Sequence, residues 1–310
     1  MTYLKQKPIY IYYLMLIFVT LIWSTNFIIG KTLTGFPPLF ISTIRFSVAG
    51  LVLAPAFFLK KLKLPRGRIW FSILLMGFTG IFVFNPLIYL GLHFTSSINA
   101  TIINSLSPLA VALLSHLWLK EDITKTKVAG LLVCILGIIF IASCASLSLL
   151  LSLKFNPGDL LIFLGTIIWA IYTVLVKKTS KHLNPQESTT LAILAGLLFL
   201  IPATLTENIW LPIPPITTNV AFTLIYLGLF PSILAFFLWT TAVSKVGPTQ
   251  AGIFYNLIPI FNIALASPIL HEHLTSYQLY GSLFIVLGMI IASVPWSKYP
   301  SPFNKEQKTV

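Results

Sequence analysis

From residue 9 to residue 295 the chain is a near-continuous series of apolar stretches, broken by short clusters of Lys, Pro and Gly. A hydrocarbon core about 30 Å thick is crossed by about 20 helical residues. Ten stretches meet that length, at 9–30, 38–59, 69–91, 98–119, 128–147, 158–176, 188–206, 217–243, 248–269 and 276–295. Lipid offers no partner for backbone N–H and C=O groups, so only α-helices or closed barrels span it. Unbroken apolar runs, rather than ten-residue alternation, select helices. A globule in water is excluded by composition: 9% of the 310 residues are charged, against roughly 25% in soluble domains. The first run reads as an uncleaved span rather than a cleaved leader, because it is too long, holds Trp23 and Asn26, and runs into Lys31 with no small-residue cleavage site. Prolines 55, 86, 108, 202, 231, 259 and 268 lie inside these runs, where membrane neighbours re-satisfy the freed backbone groups.

The net charge of +13 is a statement about topology. With the N-terminus placed in the cytoplasm, 17 of the 20 bases fall on the cytoplasmic side. The exceptions are Lys31 and Lys154 outside and Arg45 within the second span. The positive-inside rule therefore supports ten spans with both termini cytoplasmic, a multi-pass protein of the cell (inner) membrane. Bases spread over loops, with almost none in the apolar runs, exclude a nucleic-acid partner. Cys134 and Cys144, ten residues apart in one apolar run, fit neither a disulfide framework nor a CxxC metal site.

The sequence repeats itself. At an offset of 151, NATIINSLSPL, WLKEDIT and AGLLVCILG answer QAGIFYNLIPI, ILHEHLT and YGSLFIVLG. Pro108 falls on Pro259, Glu121 on Glu272, Thr124 on Thr275, Gly130 on Gly281 and Gly137 on Gly288. At an offset of 146, Trp23 falls on Trp169 and Lys31 on Lys177. Fixed-offset similarity marks a repeat. Five spans per copy force the second copy into the membrane upside down, and the lysines of LKEDITKTK are absent from LHEHLTSYQ, as that inversion requires. The expected fold is an all-α integral membrane protein, with a first five-helix repeat at 9–147, a second, inverted one at 158–295, and a cytoplasmic tail at 296–310.

The paired apolar-Pro segments, the L-[KH]-E-x-[IL]-T loops, the Gly-x6-Gly helices, WSTNFIIGK in span one and Arg45-Phe46 in span two resemble the EamA-type carriers of the drug/metabolite transporter superfamily. The resemblance covers residues 10 to 295. It implies a ten-helix carrier moving small metabolites by alternating access, with amino acids or related amphiphiles, often exported, as the leading substrate class. Uptake of a nucleotide-like or cofactor-like metabolite such as S-adenosylmethionine is the second reading that the resemblance implies. A channel or structural membrane protein is a further reading, against which the repeat argues. The second half departs from the first at Leu191, in the place of Arg45.

An ionisable side chain inside a membrane bundle is costly unless it faces a partner or a wet cavity. All seven acids (Glu121, Asp122, Asp159, Glu187, Glu207, Glu272 and Glu306) lie in loops, termini or span ends. Strong carboxylate-based coupling to protons or Na⁺ is therefore not expected; uniport, exchange or weak coupling is. Arg45 orients an anionic substrate group, bridges helices through polar partners such as Asn26, or snorkels to the outer interface. Trp23, Asn26, Asn85, Tyr89, Asn104, Trp169, Tyr172, Trp239, Tyr255 and Asn256 join Arg45 as candidate substrate-binding residues, since aromatic faces with amide ends suit an amphipathic metabolite. The competing role for each is interhelical glue or an interfacial belt. His116 reads as a packed or interfacial imidazole and His271-Glu272-His273 as loop chemistry rather than metal. Glu121 and Glu272 read as helix-end partners. No nucleophile–base constellation, cofactor motif or metal site is visible. The expected partners are a small-molecule substrate and the lipid bilayer, the expected state a monomer or homodimer.

Overall fold

A computed structural model describes residues 8–59, 64–65, 67–121, 124–143, 156–271 and 275–293. Among these, all regular structure is helical. Cys144, Asp122, Glu272, His273, Glu306 and Lys154 lie outside the described residues, as do the bases at 5, 7, 60, 61, 63, 66, 298, 305 and 308 that the sequence assigns to the cytoplasm.

In chain order the elements are α1 (Ile9–Thr32), α2 (Pro38–Leu59), α3 (Ile69–Met76), the π-helical segment π1 (Gly77–Val83), α4 (Phe84–Phe94), α5 (Ser97–Asn104), α6 (Ser107–Leu119) and α7 (Lys125–Ala142). They continue as α8 (Pro157–Thr179), α9 (Pro185–Trp210), α10 (Thr218–Leu227), the π-helical segment π2 (Gly228–Leu234), α11 (Ala235–Val246), α12 (Pro248–Tyr255), α13 (Leu257–Leu270) and α14 (Ser276–Ser293). Among the described residues eight units are long and apolar enough to cross a membrane: α1, α2, α3–α4, α5–α6, α8, α9, α10–α11 and α12–α13. The other two expected spans correspond to α7 and α14, each of 18 residues.

The polar punctuation builds the helix ends. Asn156 and Ser96 cap α8 and α5, accepting from the Gly158 and Asn99 amides, and Asn184 forms a capping box with Glu187 ahead of Pro185 on α9. Such caps satisfy donors that lipid cannot. Every described acid brings its carboxylate to a helix start, its own or a neighbour's. Asp159 and Glu187 lie in the first turns of α8 and α9. Glu207 accepts from the Leu39 and Phe40 amides at 3.1 and 3.0 Å, holding the start of α2. Glu121 accepts from the Thr249 hydroxyl at the start of α12, at 2.6 Å. These are positions where a helix dipole favours a negative charge. Lys31 and Lys177 serve the opposite ends, donating to Leu92 and Thr95 carbonyls and to the Ser244 carbonyl.

Irregularities recur at one spacing. π1 and π2 begin at residues 77 and 228, and the left-handed residues Lys120 (φ 57°) and His271 (φ 54°) end α6 and α13, in each case 151 residues apart. The breaks between α5 and α6 and between α12 and α13 also correspond. Helices α7 and α14 pack chiefly on one another. A Cβ at Gly137 would lie 2.6 Å from the Gly281 carbonyl oxygen, and one at Gly288 would collide with that of Gly130, so the backbones touch through glycine. The remaining helices enclose one apolar core containing Trp23, Trp169, Trp239 and Tyr255. The outside stays apolar: Leu51, Leu198, Phe222 and Trp210 are 76%, 69%, 68% and 82% exposed. In water such a surface would aggregate, and in lipid it is the expected one.

Candidate functional site

The centre of the bundle has a polar and an aromatic side. On the polar side Arg45 of α2 is 1% exposed, so it does not snorkel. Its Nε donates to the Ser232 hydroxyl at 2.8 Å. Its Nη1 donates to Asn26 Oδ1 at 2.8 Å, the Tyr89 hydroxyl at 2.7 Å and Asn85 Oδ1 at 3.2 Å. Tyr89 in turn donates to Asn26 Oδ1 at 2.9 Å. The guanidinium also lies over the rings of Phe46 and Tyr89, at 4.8 and 5.9 Å from their centroids. All these partners are neutral. Among the described residues the cation is thus held in a low-dielectric core by dipoles and ring faces, with no acid within ion-pair distance.

On the aromatic side Trp23 of α1 sits edge-on to Trp169 of α8 at 5.0 Å and near Trp239 of α11 at 5.2 Å and Tyr255 of α12 at 5.7 Å. Trp169 packs on Tyr172 and Phe84 at 4.9 Å each, and Phe236 contacts Trp23, Trp169 and Tyr172. Trp23 Nε1 donates to the Pro231 carbonyl at 3.1 Å, whereas the buried indole nitrogens of Trp169 and Trp239 have no hydrogen-bond partner among the described residues. Asn104 joins this side, donating to the Tyr255 hydroxyl at 3.1 Å and accepting from Thr166 at 3.2 Å. Between the two sides, bounded by Asn26, Arg45, Asn85, Phe84, Trp169 and Tyr255 among others, about 10 Å³ remains free, the lower limit for a single water. The site is closed around itself. Nearer the end where α1 begins, a cavity of about 360 Å³ is lined by Ile9, Tyr13, Glu121, Lys127, Val246, Thr249 and Gln250. Tyr13 stacks on Phe254 at 5.0 Å, one residue from Tyr255.

Ten of the eleven sequence-predicted residues thus fall on one of the two sides. Asn256 does not: its amide points to Cys134 of α7 at 3.6 Å. Sequence reasoning missed Ser232, Phe84, Phe236 and Thr166. Ser232 carried a usable signal, because it follows a mid-span proline and a hydroxyl is what a proline-interrupted helix needs.

The sequence profile of the EamA-like transporter family matches this chain twice, at residues 10–143 and 156–294. The chain belongs to the EamA-like transporter family. Its two matches begin 146 residues apart and end 151 apart, the same two spacings seen within the sequence. The transporter is 28% identical to the uncharacterized transporter YyaM of Bacillus subtilis, over 96% of this chain and 98% of that one. It is 28% identical to an uncharacterized transporter of Archaeoglobus fulgidus, over 91% and 96%. A WAT1-related chloroplastic protein of Arabidopsis thaliana is 26% identical, over 88% of this chain and 67% of its own. One solved crystal structure, 18% identical, superimposes with a TM-score of 0.71 over 92% of this chain and 98% of its own, a likeness of fold. The protein is a multi-pass membrane transporter.

Proposed function

We propose that this transporter is a ten-span carrier of two five-helix repeats, 9–147 and 158–295, inverted with respect to one another, with both termini and the tail at 296–310 in the cytoplasm of the inner membrane. It moves a small amphipathic organic metabolite bearing an anionic group by alternating access. An amino acid or related compound, leaving the cell, fits that description. One observation carries the reading: the buried guanidinium with neutral partners faces a wall of indole and phenol rings. The repeat sharpens this. Asn26, Arg45, Asn85 and Tyr89 correspond to Tyr172, Leu191, Phe236 and Thr240 at the two offsets. One copy therefore supplies most of the polar end and the other much of the apolar wall, an asymmetry matched to an amphiphile. Neutral dipoles surrender a guanidinium to a carboxylate at lower cost than an ion-paired acid would.

Helices α7 and α14 complete the two repeats as glycine-paired spans at the periphery. Coupling follows from the acids. The Glu121, Glu187 and Glu207 carboxylates accept hydrogen bonds at helix starts and Asp159 lies in the first turn of α8 rather than mid-span, so exchange or uniport is favoured over proton-driven transport. The test is uptake into proteoliposomes of labelled amino acids, with and without internal unlabelled substrate. Internal substrate should accelerate uptake several-fold, while an imposed pH gradient should change it by less than about twofold. Strong pH-gradient-driven uptake would contradict the coupling assignment, and its loss in Glu121→Gln would make Glu121 the coupling acid.

A further inference from the structure

The two π-helical segments are tied to one side chain. Each contains or precedes a proline: Pro231 lies inside π2, and Pro86 follows π1 by three residues. A proline leaves a carbonyl one turn earlier without its N–H donor. In π2 the π register passes the Leu227 carbonyl to the Ser232 amide, and the Ser232 hydroxyl donates to the same carbonyl at 2.9 Å. In π1, where the Phe84 amide reaches back to Thr79, the Asn85 side chain donates to the Gly80 and Ile81 carbonyls at 2.8 and 3.3 Å. Both plugging side chains are also acceptors for Arg45, Ser232 through Nε and Asn85 through Nη1. One guanidinium therefore links the two weakest points of spans three and eight, which the 151-residue spacing makes equivalent.

We propose that Asn85 and Ser232 are positioning residues that act through Arg45, coupling the bend at π1 to the bend at π2 so that the two spans flex together. A π-bulge is a place where a helix bends, and an amide or hydroxyl that fills the bulge stiffens it. Held also by Arg45, each plug is fixed in its rotamer; released, it gives up its bond across the bulge and the bulge softens. An anion on Arg45 competes for the N–H groups that hold Asn85 and Ser232, and so loosens both bends at once. That last step rests on the reading of Arg45 as the substrate's anion receptor, whereas the coupling of the bends does not.

Hydrogen exchange on the full-length transporter in nanodiscs, with no substrate added, separates the two. In Ser232→Ala the amides of 228–235 exchange faster, as any lost plug would cause. The coupling predicts in addition a several-fold rise at 77–86, in the other repeat, and Asn85→Ala produces the reciprocal rise at 228–235. Ser232→Thr, which keeps the hydroxyl, restores the wild-type rates at 77–86. A rise confined to the mutated segment in both variants would overturn the proposal even if Arg45 binds substrate. A rise at both segments together with unimpaired transport in Arg45→Met would keep the coupling and remove the anion's part in it.

Discussion

Arg45 is the residue on which the account turns, because a buried cation without an acid partner is either costly structure or a receptor. The two roles respond differently to substitution. Lys keeps the charge but not the planar fork that reaches Ser232 on one edge and Asn26, Asn85 and Tyr89 on another. Arg45→Lys is expected to insert and purify like the wild type and to transport at least about tenfold more slowly, measured as initial uptake rate at matched reconstitution. Wild-type uptake in that variant would show that position 45 needs only a charge. Trp23 is the corresponding residue of the aromatic side, contacting four rings and closing the Pro231 carbonyl. Trp23→Ala removes a large buried ring, a change of about 3–5 kcal/mol in globular cores. Trp23→Phe is therefore the cleaner variant, and it should retain most thermal stability while raising the apparent KM several-fold. Of these neighbours, the aromatic and amide residues were legible in the sequence because polar and ring-bearing side chains stand out against aliphatic runs. Phe84 and Phe236 were not, being two among 24 phenylalanines. Nor was the departure of Asn256, since its one-residue displacement from Tyr255 turns it by about 100° on a helix, toward Cys134.

Helices were legible almost to their ends, since lipid dictates span length and Lys, Pro and Gly mark the breaks. The sequence could not show that spans three and eight pass through π-helical turns, because the departure from α-helix depends on which carbonyls find side-chain donors. Pro86 and Pro231 marked the right places as kinks but not their form. The seven-residue glycine spacing was readable as a packing face, and its partner emerged only when α7 and α14 were found against each other. Gly137→Leu drives a side chain into the Gly281 carbonyl and Phe284. It should lower the melting temperature in detergent by several degrees or prevent monodisperse purification, consistent with the ~1–3 kcal/mol typical of overpacking. A variant that purifies normally and transports a different substrate would contradict a purely structural role. At the helix starts, Glu121→Gln keeps an acceptor for Thr249 but loses the charge, so a melting temperature a few degrees lower is expected, with transport within about threefold of wild type.

The whole molecule combines a repeated scaffold with a site that breaks the repeat. Lysines at helix ends, left-handed residues at 120 and 271 and π segments at 77 and 228 keep the symmetry that alternating access between two equivalent bends would use. Arg45 opposite Leu191 breaks it. The free space of about 10 Å³ between the two sides means that a metabolite enters only after the bundle opens, which is where flexible spans three and eight matter. Orientation is checked by placing a fluorescent reporter, active only in the cytoplasm, at either terminus; both fusions should be bright, and one dark terminus would break the ten-span account. The most direct measurement is a counterflow screen of small metabolites in proteoliposomes, run with wild type and Arg45→Met side by side. The account predicts accumulation of one or more carboxylate-bearing amphiphiles by the wild type and at least about tenfold less by the variant. Equal accumulation by both, or accumulation of uncharged and cationic compounds alone, would contradict it.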